Sequence, residues 1–326
     1  MNIDMIRAAA TRTAGKLRRT PLLNAPLLDA VARRRVWVKP ECLQHTGSFK
    51  YRGALSAISA LPEEPRARGI LAYSSGNHAQ GIALAASQYG APAVIIMPAD
   101  APRMKIDNTR ALGAEVVFYD RVAGEDRDAL GAELAQTRGL TLIKPFDNAD
   151  VIAGQGTCGL EIAEQAQTVG ITRAEVLVCC GGGGFASGIA LALEADAPTL
   201  RVRPVEPAHF DDMARSLQAG ERLSNAATSG SLCDAIITPT PGALTFPVLH
   251  RLAGPGLVVT DDEALHAMAL AFAHFKVVVE PGGAVALAAA LFHGEELDSD
   301  DVIVTLSGGN VDAGVFRMAL DRFGGQ

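Results

Sequence analysis

The sequence predicts an α/β protein built on open parallel sheets, and three observations carry that expectation. Short apolar runs that read as buried strands alternate with Ala-rich helical stretches through almost the whole chain, the pattern of strand–helix–strand units. One such unit places four consecutive glycines, Gly181 to Gly184, between an apolar run at 174–180 and a helical stretch at 185–194. Two breaks in composition, LPEEP at 61–65 and KPFDN at 144–148, bracket a compact βαβα block. Residues 63–147 are therefore expected to form a small inserted α/β domain, and residues 1–62 with 148–326 a larger one.

Candidate strands run at 36–39, 70–74, 93–97, 115–119, 141–143, 176–180, 201–206 and 302–306. Each is three to six residues long and most are rich in Val, Ile or Leu, as buried parallel strands are. Helices are expected after Gly76, Met104, Asp126, Gly154 and Gly184, and helical spacing marks 264–275 and 283–292.

A chain of 326 residues can bury a large core, and with 48% apolar but only 5% aromatic residues, Ala, Leu and Val must fill it. The net charge of −7 excludes nucleic acid as a main partner. Five cysteines (42, 158, 179, 180 and 233) are odd in number and lack CxxC spacing, which points to reduced, buried thiols rather than disulfides or zinc. The N-terminus has no signal-peptide core and no run of about 18 apolar residues occurs. The expectation is a soluble, cytoplasmic protein with no membrane partner.

Five segments carry chemistry. In TGSFKYRGA, Lys50 follows a Gly-Ser turn and lies between Phe49 and Tyr51. An amine in apolar surroundings loses its charge more easily and becomes a nucleophile or base, although a solvated first-turn lysine would look the same locally. The glycine loop leads into a helix N-terminus, and free N–H groups there with the helix dipole favour a phosphate. A plain tight turn would not need four glycines in a row. A reactive lysine and a phosphate cradle together suggest pyridoxal phosphate. SSGNHAQG, with Ser74, Ser75, Gly76, Asn77 and His78, closes one strand and opens a helix, and suits a substrate carboxylate or a capped helix start. EPGGA puts Glu280 before a glycine turn, and SGGN puts Ser307 and Gly308 after the last strand, where ligands gather in open α/β sheets.

In this order the motifs SFKYRGA, SSGNHAQG, AGQGT, GGGG, EPGGA and SGGN resemble the serine/threonine dehydratase and serine racemase group of pyridoxal-phosphate enzymes of fold type II, the tryptophan-synthase-β-like fold, from about residue 17 to 316. The resemblance implies two parallel-sheet domains with the cofactor between them, and a homodimer. It implies that Lys50 binds the cofactor as a Schiff base and then removes the Cα proton, with Ser75 as acid or base on the opposite face. Phe49 would pack beside the cofactor, Asn77 would bond its ring hydroxyl, and Gly181, Gly182, Gly183 and Gly184 would hold its phosphate. Ser307 would meet the ring nitrogen with Gly308 and Glu280 nearby. A neutral hydroxyl there makes a weaker electron sink than a carboxylate would and favours prompt loss of a β-leaving group.

The activity so implied is conversion of a β-hydroxy amino acid such as L-threonine or L-serine to a 2-oxo acid and ammonia. Racemisation stays open if Ser75 acts as a second base. Arg127 falls near where racemase-type relatives place an arginine for a distal carboxylate, so 3-hydroxyaspartate is a further candidate, although Arg127 also reads as a surface helix residue. The resemblance also implies Mg²⁺ or Ca²⁺ held by Glu206, the Phe210 carbonyl and Asp212, where a strand-end acid and a helix cap would serve equally. The chain lacks the C-terminal extension of feedback-controlled relatives, which suggests a catabolic role. A nicotinamide-dependent dehydrogenase is the rival from another class. The loose G-x-G-x-x-A at 181–186 with Glu206 beyond fits it, but it leaves Lys50, SSGNHAQG and SGGN without a role.

Overall fold

A computed structural model describes residues 1–325 except Ser75, Pro102, Arg121 and Val122 and the side chain of Met104. The chain opens with α1 (Ile3–Arg12), β1 (Leu23–Asn24), α2 (Pro26–Ala32), β2 (Arg35–Pro40) and α3 (Lys50–Ala60). It continues through α4 (Glu63–Arg68), β3 (Ile70–Tyr73), α5 (Asn77–Gln88), β4 (Ala93–Pro98), α6 (Arg103–Ala111), β5 (Glu115–Tyr119), α7 (Arg127–Arg138) and β6 (Thr141–Leu142). Then follow α8 (Ala149–Thr168), β7 (Ala174–Cys179), α9 (Gly184–Asp196), β8 (Leu200–Pro207), α10 (Asp212–Ala219), α11 (Thr245–Leu252) and β9 (Leu257–Val259). The chain ends with α12 (Asp261–Phe275), α13 (Pro281–Phe292), β10 (Asp301–Leu306) and α14 (Ala313–Phe323).

Two open sheets result. The larger has the order β1-β2-β10-β7-β8-β9 and the smaller β5-β4-β3-β6. Every pairing is parallel except that of the edge strand β1 with β2. All eight candidate strands are present within two residues of their expected ends. The two-residue β1 and three-residue β9 escaped the sequence reading because so short a segment has no measurable period. Helix α8 begins five residues before Gly154, because the Asn148 side chain accepts from Asp150 N and Val151 N and caps it there.

Helix α8 is the element on which the two halves meet. Its glycines, poor helix formers by propensity, permit close crossings. A Cβ on Gly154 would lie 2.5 Å from the Arg52 carbonyl oxygen of α3, and one on Gly159 would lie 2.7 Å from Ala192 Cβ of α9. Helix α3 turns Tyr51, Leu55 and Ile58 into the cluster that also holds Ile70, Ile82 and Ile95 of the small sheet's layers. The boundary expected near residue 62 therefore passes through a packed cluster. Helix α13 is apolar on all sides and is buried from Pro281 to Ala290, as such helices are.

A buried ionic network fastens this junction. The fully buried Arg52 guanidinium donates to both carboxylate oxygens of Glu41 (2.7 and 2.8 Å) and both of Glu161 (2.7 and 2.9 Å). Lys39 Nζ donates to Glu161 Oε2 at 2.6 Å and to the Thr20 carbonyl at 2.7 Å. Burial alone would raise the Glu41 pKa, but Arg52 outweighs it and the net shift is downward. The network joins β2, α3 and α8, two residues from Lys50. Among the described residues no helix is long and apolar enough to cross a membrane.

Replacing Arg52 with Met should cost about 3–5 kcal/mol, because it strands buried carboxylates without a partner. Equilibrium denaturant unfolding measures this, and a loss below about 1 kcal/mol would mean that the network holds little of the fold.

Candidate active site

The candidate residues lie after strand C-termini or at helix N-termini, and the fold gathers most of them into one place. Lys50 is the first residue of α3, and no side chain caps that helix. The turn before it is stitched to the turn after β10. Ser48 bridges Gly308, Phe49 N donates to the Ser307 carbonyl at 3.0 Å, and Gly309 N donates to the Gly47 carbonyl at 2.9 Å. The Lys50 amine reaches a chamber of about 190 Å³ lined also by Tyr73, Ser74, Gly76, Asn77, His78, Phe146, Thr238 and Glu280. It donates a long hydrogen bond to the Pro145 carbonyl, 3.4 Å away.

Burial lowers the Lys50 pKa to about 8, and the charge of Glu280 opposes that shift. Burial likewise raises the Glu280 carboxyl to about 7, partly offset by its hydrogen bond from Asn77. His78 falls to about 3 through burial and the nearby Lys50 charge, so its ring is neutral. Its Nε2 lies 3.0 Å from the Ile143 carbonyl and must carry the proton. His78 Nδ1 is then a bare, buried acceptor with no partner among the described residues.

Asn77 is fixed at both ends. Its Nδ2 donates to Glu280 Oε1, and its Oδ1 accepts from Asn310 Nδ2 at 2.7 Å. The Asn310 amide also donates to the Thr46 carbonyl at 2.8 Å. Gly308 makes this close packing possible, since a Cβ there would lie 2.0 Å from Glu280 Oε1. Asn310 stands in the SGGN motif, yet local sequence offered no sign of its contact with Asn77.

The chamber continues into a glycine cradle, a cavity that shares Lys50, Phe146, Ala235 and Thr238 with it and is walled by Phe49, Cys179 and Gly181 to Gly184. Side chains do not fit on this loop. A Cβ would meet the Ile236 carbonyl oxygen at 2.9 Å from Gly181, the Phe146 ring at 2.3 Å from Gly182 and Met213 Cε at 2.7 Å from Gly183. Gly183 also has φ +89°, which favours glycine. The 13-residue helix α9 starts at Gly184 with no side-chain cap, so its first N–H groups at the cradle have no partner within the helix. Phe49 stacks on Phe185 at 4.1 Å between ring centroids. Thr238 Oγ1, which borders both cavities, is buried and has no partner among the described residues. An anion cradle, a desolvated amine and unpaired polar atoms between them fit pyridoxal phosphate. Ser307 is buried at the end of β10 next to Cys179.

Arg127 and the expected metal ligands fall outside this chamber. Ser75 lies outside the described residues. Arg127 does not line the chamber: it starts α7, stacks over the Tyr73 ring at 5.0 Å and lies 3.6 Å from Asp128, with its side chain 46% exposed. Glu206, Phe210 and Asp212 form a separate buried group behind the cradle. Glu206 accepts from Met213 N and Ala214 N, at 3.0 and 2.7 Å, and is thus the cap of α10 rather than a free acid for a ribose. Burial raises the pKa of both acids, Asp212 to about 6. Asp212 Oδ2 is buried without a partner among the described residues. Sequence reasoning missed Phe146, Thr238, Lys105 and Asp234, which stand in the chamber wall but in no local motif.

A family model described as pyridoxal-phosphate dependent enzyme matches residues 14–309. An L-threo-3-hydroxyaspartate ammonia-lyase of Pseudomonas sp. is 42% identical over 309 residues, covering 95% of each chain. A serine racemase of Oryza sativa is 37% identical, covering 98% of this chain and 94% of its own. The solved structure of a T.th. threonine deaminase superposes with a TM-score of 0.90 at 44% identity, covering 96% of this chain and 99% of its own.

In the cofactor-free protein, brief acetylation of Lys50 by trace acetic anhydride should accelerate with pH up to about 8 and then level off, because only the free amine reacts and its pKa is depressed. Peptide mass spectrometry across roughly pH 6–11 reads this. A rise continuing to about pH 10, as for exposed lysines, would place the amine in water.

Proposed function

The chain belongs to the pyridoxal-phosphate dependent enzymes, of fold type II, and from that premise we propose that it is an ammonia-lyase converting a β-hydroxy amino acid to a 2-oxo acid and ammonia. The observation that carries the proposal is the desolvated Lys50 amine standing at the junction of an anion cradle and a second, polar chamber.

In this reading Lys50 and the glycine cradle hold the cofactor, with Ser307 offering it a neutral hydroxyl. When bound, the cofactor supplies the electron sink for negative charge at the substrate Cα. The chain's own groups do the rest. Helix α5 begins at Asn77 without a side-chain cap, so its N–H groups and dipole hold the substrate carboxylate. Lys50, with its pKa near 8, accepts the Cα proton near neutral pH at little cost, as a tuned base does. Glu280, near 7, changes its protonation state in the same range and accepts the hydrogen bond of the Asn77 amide. Tyr73 and Phe146 narrow the chamber, which restricts water until the β-hydroxyl has left. The released enamine then hydrolyses to the 2-oxo acid and ammonia.

Two side chains compete within this class. A short neutral one, as in L-serine or L-threonine, matches the small chamber. The carboxylate of 3-hydroxyaspartate is favoured by a lysine, Lys105, in the chamber wall and by the activity named for the Pseudomonas relative. We also propose Mg²⁺ or Ca²⁺ on Glu206, the Phe210 carbonyl and Asp212. Two buried acids with one unpartnered oxygen support it, as such cations take oxygen ligands. Asp212 begins α10, whose Met213 touches the cradle, so an ion there would brace the phosphate loop.

The cofactor-loaded enzyme should release 2-oxo acid from L-serine, L-threonine or 3-hydroxyaspartate, and Lys50→Ala should reduce the rate more than about 10³-fold. No release from any of the three would defeat the ammonia-lyase reading. Millimolar Mg²⁺ or Ca²⁺ should raise the melting temperature and EDTA should reverse this. Asp212→Asn should abolish the response; an identical response in that variant would place any ion elsewhere.

A further inference from the structure

Lys105 is a cation placed where local sequence gives it no role. It lies on α6 of the small sheet's layer and reaches across to Asp234, in the segment that follows α10 on the large-sheet side; Lys105 Nζ and Asp234 Oδ2 are 3.1 Å apart. Lys105, Asp234 and Glu280 line both the Lys50 chamber and a neighbouring cavity of about 500 Å³. They therefore stand between the two. Both charges bear on Glu280, Asp234 raising its pKa and Lys105 lowering it, so they act inside the same desolvated space.

The pair is unequally buried. The Lys105 side chain is 18% exposed and that of Asp234 60%. If an incoming carboxylate displaces Asp234, that acid returns to water at small cost, since an exposed ion pair is worth little. Lys105 cannot hydrate in the same way and needs a negative partner in the wall. The other cations nearby lack this placement. Arg103 is 90% exposed and bonded to Asp107, and Arg127 lies over Tyr73 outside the chamber.

We propose that Lys105 is the specificity-determining residue of this site: it exchanges Asp234 for the side-chain carboxylate of a β-hydroxy dicarboxylic amino acid, which makes 3-hydroxyaspartate the preferred substrate. The proposal rests on the ammonia-lyase reading for its reaction and on the Lys105–Asp234 pair for its selectivity. A dicarboxylic substrate then meets two cationic ends, the N-terminus of α5 for its α-carboxylate and Lys105 for the other. Serine or threonine leaves the pair closed and gains nothing from it.

Two measurements on the cofactor-loaded enzyme test this. The first is the ratio of kcat/KM for 3-hydroxyaspartate to that for L-serine. Lys105→Met should lower the ratio about 10- to 100-fold, the worth of one charge-assisted contact, mainly through KM for the dicarboxylate. Lys105→Arg should restore most of it, and Asp234→Asn should raise it by freeing the lysine. The second is calorimetric binding of succinate against propionate, which needs no turnover. The wild type should favour succinate, and Lys105→Met should erase the preference. If Lys105→Met leaves both the ratio and the succinate preference unchanged while turnover continues, the specificity role is overturned and the lyase reading stands. If no hydroxy amino acid is consumed but succinate binding still depends on Lys105, the lyase reading falls and the dicarboxylate site remains.

Discussion

The close crossing of α8 with α3 on one side and α9 on the other is the constraint on which the site depends. Helix α3 carries Lys50 at its first residue and α9 starts from the glycine cradle, so the separation of amine and cradle is set by how both helices dock on α8. Glycines at 154 and 159 let backbones approach to distances a Cβ would forbid, and the Arg52–Glu41–Glu161–Lys39 network fixes the rotation of α3 about that contact. Close-packed interiors transmit such constraints with little slack. A shift of one turn at this crossing would carry Lys50 out of reach of the cradle.

Within the chamber, desolvation rather than ion pairing sets the protonation states. Lys50, His78 and Glu280 are all moved toward their neutral forms chiefly by burial, which removes the hydration that charge requires. The result is an amine and a carboxyl that both titrate near neutrality, beside a histidine that carries no charge there. The ion pairs of the site stand at its edges, in the Lys105–Asp234 bridge and in the network behind α3. Charge is thus retained at the edges of the chamber and suppressed around Lys50.

The cradle is braced from behind. Helix α10, capped by Glu206, presses Met213 against Gly183, and Thr245 of α11 donates to the Gly182 carbonyl at 2.6 Å. A loop with no side chains has high conformational freedom, and these contacts restrain it. The same packing leaves no room for any residue but glycine at 182 and 183.

Fold class, the order of strands along the chain and the segments that supply Lys50, Asn77, Glu280 and the glycine loop to the two cavities were legible in the sequence. Strand and helix periods and glycine runs are local properties, and the reactive segments kept their chemistry within a few residues of one another. Local sequence could not reveal the Asn310–Asn77–Glu280 chain, the Phe146 wall, the Thr238 hydroxyl between the cavities or the reach of Lys105 to Asp234. Each joins residues from different elements, separated by as many as 233 positions in the case of Asn310 and Asn77. The depressed pKa of Lys50 belongs to the same group. Its apolar neighbours Phe49 and Tyr51 suggested it, but only the closure of two sheets around the amine removes water from it, and that closure is a property of the packed molecule.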